Sequence, residues 1–584
     1  MLDILKALGE NEMVVKVVAP IFLLGFLIFV HESGHFLFAK LFGVGVEKFS
    51  FGFGPRIFGF TRNGTEYRLS WIPLGGYVKM VGDDPFDDLS TEDRDDSFLQ
   101  KPVWQRLLVV FAGPLFNLLL PIVLFAGIYL VGSPEPISRV GVILPGSAAD
   151  AAGLQDGDRV VAVGDRQVQF YDDLQDALLE LPLGATTPLT VSRDGQTRTV
   201  PVTLQVEPGV NRWGQSTDQN VLGIDPNSAR PVVGVPAGSS AAAAGLKSGD
   251  LLVSIDGKPI DWWYQVEEVL TRISGATGVV SEPDGQEGRP VSLKVTVRRG
   301  EETLEVQVPP GPLDYLTVMA GKIDPGATVP PVGKLFEAYP GARYGFLPQE
   351  LFIREVVPGK PAERAGLLAG DLIVAINGQV VEQWLDIKRL IEAPADQVKN
   401  ILVLREGGLR FFAVQPDVVT IRDAFGRAHQ EGRISIMPAA MYATEKETLR
   451  LGAIEAVGRG TLETASIIYM SAKLLGQVMT GDIPLTESLG GPIAIVTVAA
   501  RSAWVSIFEY VRMMVLISVS LGLINLLPIP LLDGGHILFF TLELVRGRPV
   551  SMRFREVSQQ VGLIILFILM AFAMANDVRM TLLR

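Results

Sequence analysis

His31 and His35 stand four residues apart, with Glu32 directly after the first, at the end of the uncharged run Ile21 to Val30. On a helix, residues four apart share a face. The two imidazoles can therefore each offer one nitrogen to a single metal ion, and Glu32 lies within reach of a water held there. This is the His-Glu-x-x-His spacing of zinc-dependent hydrolysis. The chain holds four His, and two of them are in this one turn. The plainer alternative is a pair of interfacial polar residues beside a stray carboxylate. Against it, an ionisable triplet on an apolar helix is costly to insert and points to function.

The pair must be held by the apolar segments around it. Residues 14–36 are read as the first membrane span, within a domain 1–36. A cleaved signal peptide is the alternative, but no small-residue cleavage site follows the apolar core. Residues 43–82 are Gly-rich and aromatic, with Asn63-Gly64 as a hairpin turn signal. They are expected to form a membrane-associated β-hairpin beside the His pair, with an ordinary surface hairpin as the alternative. Residues 83–106 follow as an acidic cytoplasmic loop carrying Asp83, Asp84, Asp87, Asp88, Glu92, Asp93, Asp95 and Asp96. The second span, 107–131, contains Gly113, which permits close helix approach, and Asn117, which needs a partner inside the bundle and is expected to face the first helix. Residues 445–500 read as an amphipathic interfacial region, with a further span as the alternative. The third transmembrane segment, 505–536, contains Asn525, Pro528 and Pro530 before Asp533-Gly534-Gly535-His536. The prolines should break the helix before Asp533. A fourth span covers 558–576.

The composition agrees with a chain that is part membrane and part soluble. Of 584 residues 48% are hydrophobic and 20% charged, so several domains are expected. A net charge of −13 argues against a nucleic-acid partner. With no Cys, any metal must be held by His, Asp or Glu. Lys40, Lys48, Arg56, Arg62, Arg68 and Lys79 follow the first span, and Arg546, Arg548, Arg553 and Arg555 precede the last. The positive-inside rule places both groups in the cytoplasm, leaving the middle of the chain and both termini outside.

That middle region repeats. Pro145 to Asp158, Pro236 to Asp250 and Pro358 to Asp371 each end in Gly-Leu-x-x-Gly-Asp and are followed by an apolar strand. Such self-similarity signals tandem modules. The pattern resembles PDZ domains, which bind extended peptides by strand addition, and it implies α+β units over 134–208, 219–310 and 344–420. By the same resemblance, Leu222-Gly223-Ile224 is assigned to the peptide-carboxylate loop of the second unit and Tyr344-Gly345-Phe346 to that of the third, with none for the first. Residues 274–290 read as a Gly-rich insertion.

A catalytic zinc usually takes three protein ligands plus water. Asp533 is the favoured third ligand, with His536 as its rival. Taken together, His31 to His35, Ala112-Gly113-Pro114 with Asn117, Asn525 to His536 and the repeats resemble the site-2 protease family of intramembrane zinc metalloproteases, in its bacterial regulator of sigma-E protease form. The resemblance implies an α-helical bundle of about four spans bearing tandem PDZ-like domains. It implies zinc on His31, His35 and Asp533, Glu32 as catalytic acid/base, and a hairpin that presents substrate as a strand. Asn525, Pro528 and Pro530 would lie near the substrate, and Gly223 and Ile224 in a peptide groove. The expected location is a bacterial inner membrane, with the repeats periplasmic. Expected partners are the lipid bilayer, single-pass membrane proteins such as anti-sigma factors or remnant signal peptides, and peptide carboxyl ends. A non-catalytic PDZ membrane adaptor is the rival reading, and it has no need of Glu32; a metal transporter is a weaker rival.

Overall fold

In hydrocarbon, every backbone N–H and C=O must find a partner within the protein, and a long apolar run achieves this as a helix. The computed structural model describes residues 12–83, 96–144, 146–193, 195–210, 216–236, 238–274, 292–311, 339–345, 347–405, 408–422, 428–439, 442–481 and 491–582. Seven helices matter below: α1 (Glu12–Leu41), α2 (Val103–Val131), α3 (Ala453–Thr480), α4 (Pro492–Val505), α5 (Ile507–Asn525), α6 (Asp533–Arg546) and α7 (Met552–Leu582). Among the described residues, α1, α2, α5 and α7 are long and apolar enough to cross a membrane. Residues 84–95 of the expected acidic loop and 275–290 of the expected insertion lie outside the described residues, as does Phe346.

The helix bounds differ from the expected spans. α1 continues through the His pair to Leu41 instead of stopping at 36. α2 begins at Val103, directly after Pro102, and so takes in Arg106 from the expected loop. That charge is tolerated because Arg106 Nη2 donates to Glu543 Oε1 on α6 at 2.8 Å and Nη1 to Oε2 at 3.3 Å. The segment 505–536 is two helices. α5 ends at Asn525, the proline-bearing stretch 526–532 is non-helical, and α6 starts at Asp533. The region 445–500 holds α3, which leaves Ile454, Val457, Leu462 and Leu474 exposed, and the shorter apolar α4.

The chain forms two compact units. One is built from the two ends, Met1–Pro134 and Thr448–Arg584, and the other from Glu135–Val210 and Ser216–Glu447. In the first unit, α2 is the hub, and three neighbours approach it through glycine. A Cβ on Gly34 of α1 would sit 2.3 Å from Ala112 O, one on Gly460 of α3 would sit 3.1 Å from Ile122 O, and one on Gly522 of α5 would sit 3.0 Å from Leu118 Cδ2. Small residues let helix backbones approach closely, and packing of this kind drives helix association in lipid. Strands β1 (Val46–Arg62) and β2 (Thr65–Met80) follow α1. Asn63 and Gly64 join them, both with positive φ, as a two-residue hairpin turn demands. Lys48 to Phe51 pair twice, with Glu66 to Leu69 and again with Lys79 to Gly76, so the two segments fold into a small sheet rather than a plain ribbon.

The middle unit contains three modules with one strand order. The four-stranded sheets are Arg166–Gln167, Arg159–Val163, Thr186–Arg193, Gln196–Thr203; Lys258–Pro259, Leu251–Ile255, Leu293–Arg299, Glu302–Val308; and Gln379–Val380, Leu372–Ile376, Lys399–Arg405, Gly408–Val414. The repeated Gly-Leu-x-x-Gly-Asp corner does the same work each time. Asp158, Asp250 and Asp371 are fully buried. Each accepts the backbone N–H three residues back, at 2.9 Å from Gln155, Lys247 and Leu368. Each also takes both prongs of an Arg from the sheet, namely Arg193, Arg299 and Arg405. Charge-assisted bidentate pairs of this kind are strong and directional.

The module boundaries need correction. Leu222 packs in the first module's core, and Ile224–Asp225 pairs with Val142–Ile143. Leu222-Gly223-Ile224 thus closes the first module, not the second. Tyr344 packs in the second module's core, and Leu347–Pro348 pairs with Val233–Gly234. The third module is closed by Ile434-Ser435-Ile436, where Ala362 N donates to Ile434 O and Val357 N to Ser435 O, both at 3.1 Å. The first two closing segments follow their own sheets and abut the next repeat in sequence, which is why they read as parts of the following module; the third, at 434–436, lies past the expected end of its module at 420.

Burial by itself would raise the Asp250 carboxyl, but hydrogen bonds from the Arg299 guanidinium and the Lys247 amide hold it below its ordinary value. A lowered carboxylate contributes stability that is complete above its unfolded value, about 3.9, and is lost as pH falls through the folded value. The second module should accordingly lose protease resistance below about pH 4. Asp371→Ala, which strands the Arg405 guanidinium, should destabilise the third module by about 3 kcal/mol in urea pulse-proteolysis of the full chain. Asp417→Ala, which breaks the exposed Arg364 pair, should cost under about 1 kcal/mol.

Candidate metal centre

His31 and His35 lie on one face of α1, both buried. Asp533 is the first residue of α6. It reaches the His pair because the chain breaks after Asn525 and restarts against its own loop. A Cβ on Gly534 would sit 2.1 Å from Leu527 O, and one on Gly535 would sit 2.5 Å from Ile529 O. The Gly-Gly pair is thus the only sequence that lets α6 begin flush against the 526–530 segment, with Asp533 turned to α1.

Three ligand atoms meet there. The two Nε2 atoms are 3.2 Å apart. His31 Nε2 lies 3.1 Å from Asp533 Oδ2 and His35 Nε2 lies 3.5 Å from Asp533 Oδ1. Tetrahedral zinc with bonds of about 2.0–2.1 Å sets its ligands about 3.3 Å apart. The donor spacing fits. His35 Nδ1 is 2.8 Å from Val109 O, to which it donates. In the neutral ring its Nε2 then carries a bare lone pair, aimed at a second imidazole nitrogen and a carboxylate. Such a cluster of acceptors is stable around a cation and repulsive without one. Among the described residues this is the only group of three or more such side chains able to hold a metal.

The other expected residues fall into place or outside it. Glu32 is beside His31 on the neighbouring face, where the Val78 backbone on β2 donates to its carboxylate. Gly76 on the same strand lies against it: a Cβ there would be in ordinary contact with Glu32 Cγ at 3.5 Å, and would crowd Ser50 O of β1 at 2.8 Å. His536, the rival third ligand, does not join the donor group; its ring lies 6.4 Å from that of Phe540. Asn525 and Pro530 are half-buried and Pro528 is exposed on the broken segment, and α7 packs on Pro530 at Gly562. Gly223 and Ile224 belong to the middle unit, in the first module's closing strand.

The surroundings of the site come from α2. Val109 O holds the His35 ring. A Cβ on Gly113 would sit 2.2 Å from His35 Nε2, so only glycine leaves space for that ring. The Asn117 amide lies 3.2 Å from His31 Nδ1. These positions are 109, 113 and 117, a spacing of four that runs antiparallel to His31 and His35. Gly113 and Asn117 were visible in the sequence as features needing a neighbour. Val109 was not, because it acts through its backbone carbonyl, and the signal that could have exposed it is the matching i, i+4 period.

Comparison with known proteins bears on this arrangement. The model of peptidase family M50 matches residues 19–569. The protease RseP of Yersinia pestis is 30% identical over 557 residues, covering 95% of this chain and 96% of that protein. A Ralstonia nicotianae protein named as a zinc metalloprotease is 30% identical over 581 residues, covering 96% and 97%. The regulator of sigma-E protease RseP of Escherichia coli is 28% identical over 562 residues, covering 95% and 96%.

Gly113→Ala should drive a methyl group into the His35 ring and weaken zinc binding at least about ten-fold, the scale of a lost supporting contact. Gly127→Ala on the same helix meets nothing within 4 Å and should leave it unchanged. Zinc content of the purified proteins after chelator competition measures both.

Proposed function

Since the chain belongs to peptidase family M50, the site-2 protease family, and is a zinc metalloendopeptidase, we propose that it cuts the membrane-embedded segments of single-pass proteins. The proposed zinc ligands are His31, His35 and Asp533, and the observation that carries the proposal is their meeting at metal-ligand spacing with Glu32 alongside. When bound, zinc supplies a Lewis acid for the scissile carbonyl and brings the pKa of water at the site to about 7. The chain's own residues do the rest. Glu32, held by the Val78 amide, takes the proton from the attacking water and passes it to the leaving amine nitrogen. His35, fixed by Val109 O, keeps its Nε2 in place. A helical substrate has its carbonyls in hydrogen bonds and must be unwound before attack. Strand β2 runs past Glu32, and pairing with it would replace the bonds lost on unwinding.

In this reading the substrates are of the anti-sigma factor or remnant signal peptide type, in keeping with relatives named as regulators of sigma-E. The protein sits in a bacterial inner membrane with the modules and both termini outside. The modules are PDZ-like, and the segments Leu222-Gly223-Ile224, Tyr344-Gly345 and Ile434-Ser435-Ile436 would border their peptide grooves, receiving carboxyl ends left by an earlier cut. A non-catalytic adaptor would have no use for a carboxylate placed beside a metal-ligand triad.

Glu32→Gln should retain zinc and lose peptide-bond cleavage by about 10²–10⁴-fold; cleavage at a near-normal rate would overturn the assignment. The orientation has its own check. Reporter fusions near residue 300 should behave as exported and fusions near residue 88 as cytoplasmic. Export of the reporter at 88 would reverse the topology.

A further inference from the structure

Each ligand imidazole has two ring nitrogens, and only one can face the metal. For His35 the choice is made by Val109 O at 2.8 Å from Nδ1, an acceptor that requires a proton there. For His31 the atom opposite Nδ1 belongs to the Asn117 side-chain amide, at 3.2 Å. Asn117 is fully buried on α2. With its Nδ2 toward His31, its Oδ1 is buried without a hydrogen-bond partner. A buried acceptor left unmatched costs about 1–3 kcal/mol. An amide N–H₂ aimed at Nδ1 also asks that nitrogen to be the acceptor, which puts the ring proton on Nε2, the atom that faces Asp533 and His35. A half-turn of the amide removes the conflict at the ring and gives Oδ1 a donor, while Nδ2 takes the buried place that Oδ1 held. Oδ1 then accepts Nδ1–H of His31, and Nε2 is left bare toward the other donors.

We propose that Asn117 is a positioning residue for the metal centre: its side-chain oxygen accepts the Nδ1 proton of His31 and so commits Nε2 to the metal. At the same position α2 is joined to α5, where Ser518 Oγ donates to Asn117 O at 2.7 Å. Asn117 has the part for His31 that Val109 O has for His35. One side of α2, at positions 109 and 117, thereby sets the tautomers of both imidazoles, with the bare Gly113 between them. Groups that orient metal-bound imidazoles in this way typically govern metal affinity by about 10–100-fold.

The inference rests on the metal reading of His31, His35 and Asp533. Zinc affinity is measured by chelator competition on the detergent-purified full chain. Asn117→Leu has no acceptor and should bind zinc about 10–100-fold more weakly. Asn117→Asp keeps an acceptor at the same place and should remain within ten-fold of wild type. Ser518→Ala, which loosens only the helix contact, should not change affinity. Equal zinc binding by wild type and Asn117→Leu, or equally weak binding by Asn117→Leu and Asn117→Asp, would overturn the inference alone. Should Asn117→Leu not fold, Asn117→Asp decides the matter: less than a ten-fold loss supports the inference and a greater loss overturns it. A wild-type chain that bound no zinc would overturn the metal reading and this inference with it.

Discussion

The closeness of α1 and α2 is the constraint on which the rest of the membrane unit depends. Gly34 presses on the Ala112 carbonyl, and the His35 ring fills the space above Gly113. Lipid offers helices no hydrophobic reason to associate, so contact has to be made by shape. At this crossing the shape is the absence of two side chains. With α2 this near, its backbone carbonyl at Val109 and its Asn117 amide reach into the first helix and hold the imidazoles. A bulkier crossing would leave the same His pair without support.

The second half of the centre is brought in by a different device. Asp533 comes from a helix that starts inside the bundle, after the seven non-helical residues 526–532. Irregular backbone at membrane depth is tolerated where it is buried in protein or lines a cavity. Here Gly534 and Gly535 let α6 fold back on the carbonyls of Leu526, Leu527 and Ile529. The far end of α6 is tied to the start of α2 through Glu543 and Arg106, with Arg555 of α7 3.7 Å from the same carboxylate. Ion pairs with so little water around them are costly to form and costlier to break. The pair therefore fixes where α6 ends, while the glycines fix where it begins.

The modules of the middle unit use charge in the same spirit but as repeated hardware. One buried Asp per module joins the corner backbone to a sheet Arg. The corner carbonyls of Gly153, Gly245 and Gly366 take a further bond from those same guanidinium groups. The repetition shows that Gly-Leu-x-x-Gly-Asp is a structural hinge between short helix and sheet. The closing segments, by contrast, vary: Gly223 and Gly345 in the first two modules and Ser435 in the third, all with positive φ.

Much of the site was legible in the sequence because its chemistry is local. The His31/Glu32/His35 spacing is a property of one helix turn, the prolines at 528 and 530 announce the break before Asp533, and the Gly-Leu-x-x-Gly-Asp copies announce three modules. Resemblance supplied the rest of the family assignment. Other features were decided only by tertiary structure. That Asp533 rather than His536 lies against the His pair depends on which side of α6 meets α1, and the close packing of Gly534 and Gly535 on the preceding loop sets that side. The part played by Val109 lies in a carbonyl that every residue possesses. The inward turn of Arg106, and the closing strands that belong to the preceding module, join residues far apart in the chain: Arg106 with Glu543, Ile224 with Ile143. Local spacing records what one segment can do with itself; which distant segment it meets is settled by close packing, and single residue types carry no mark of that.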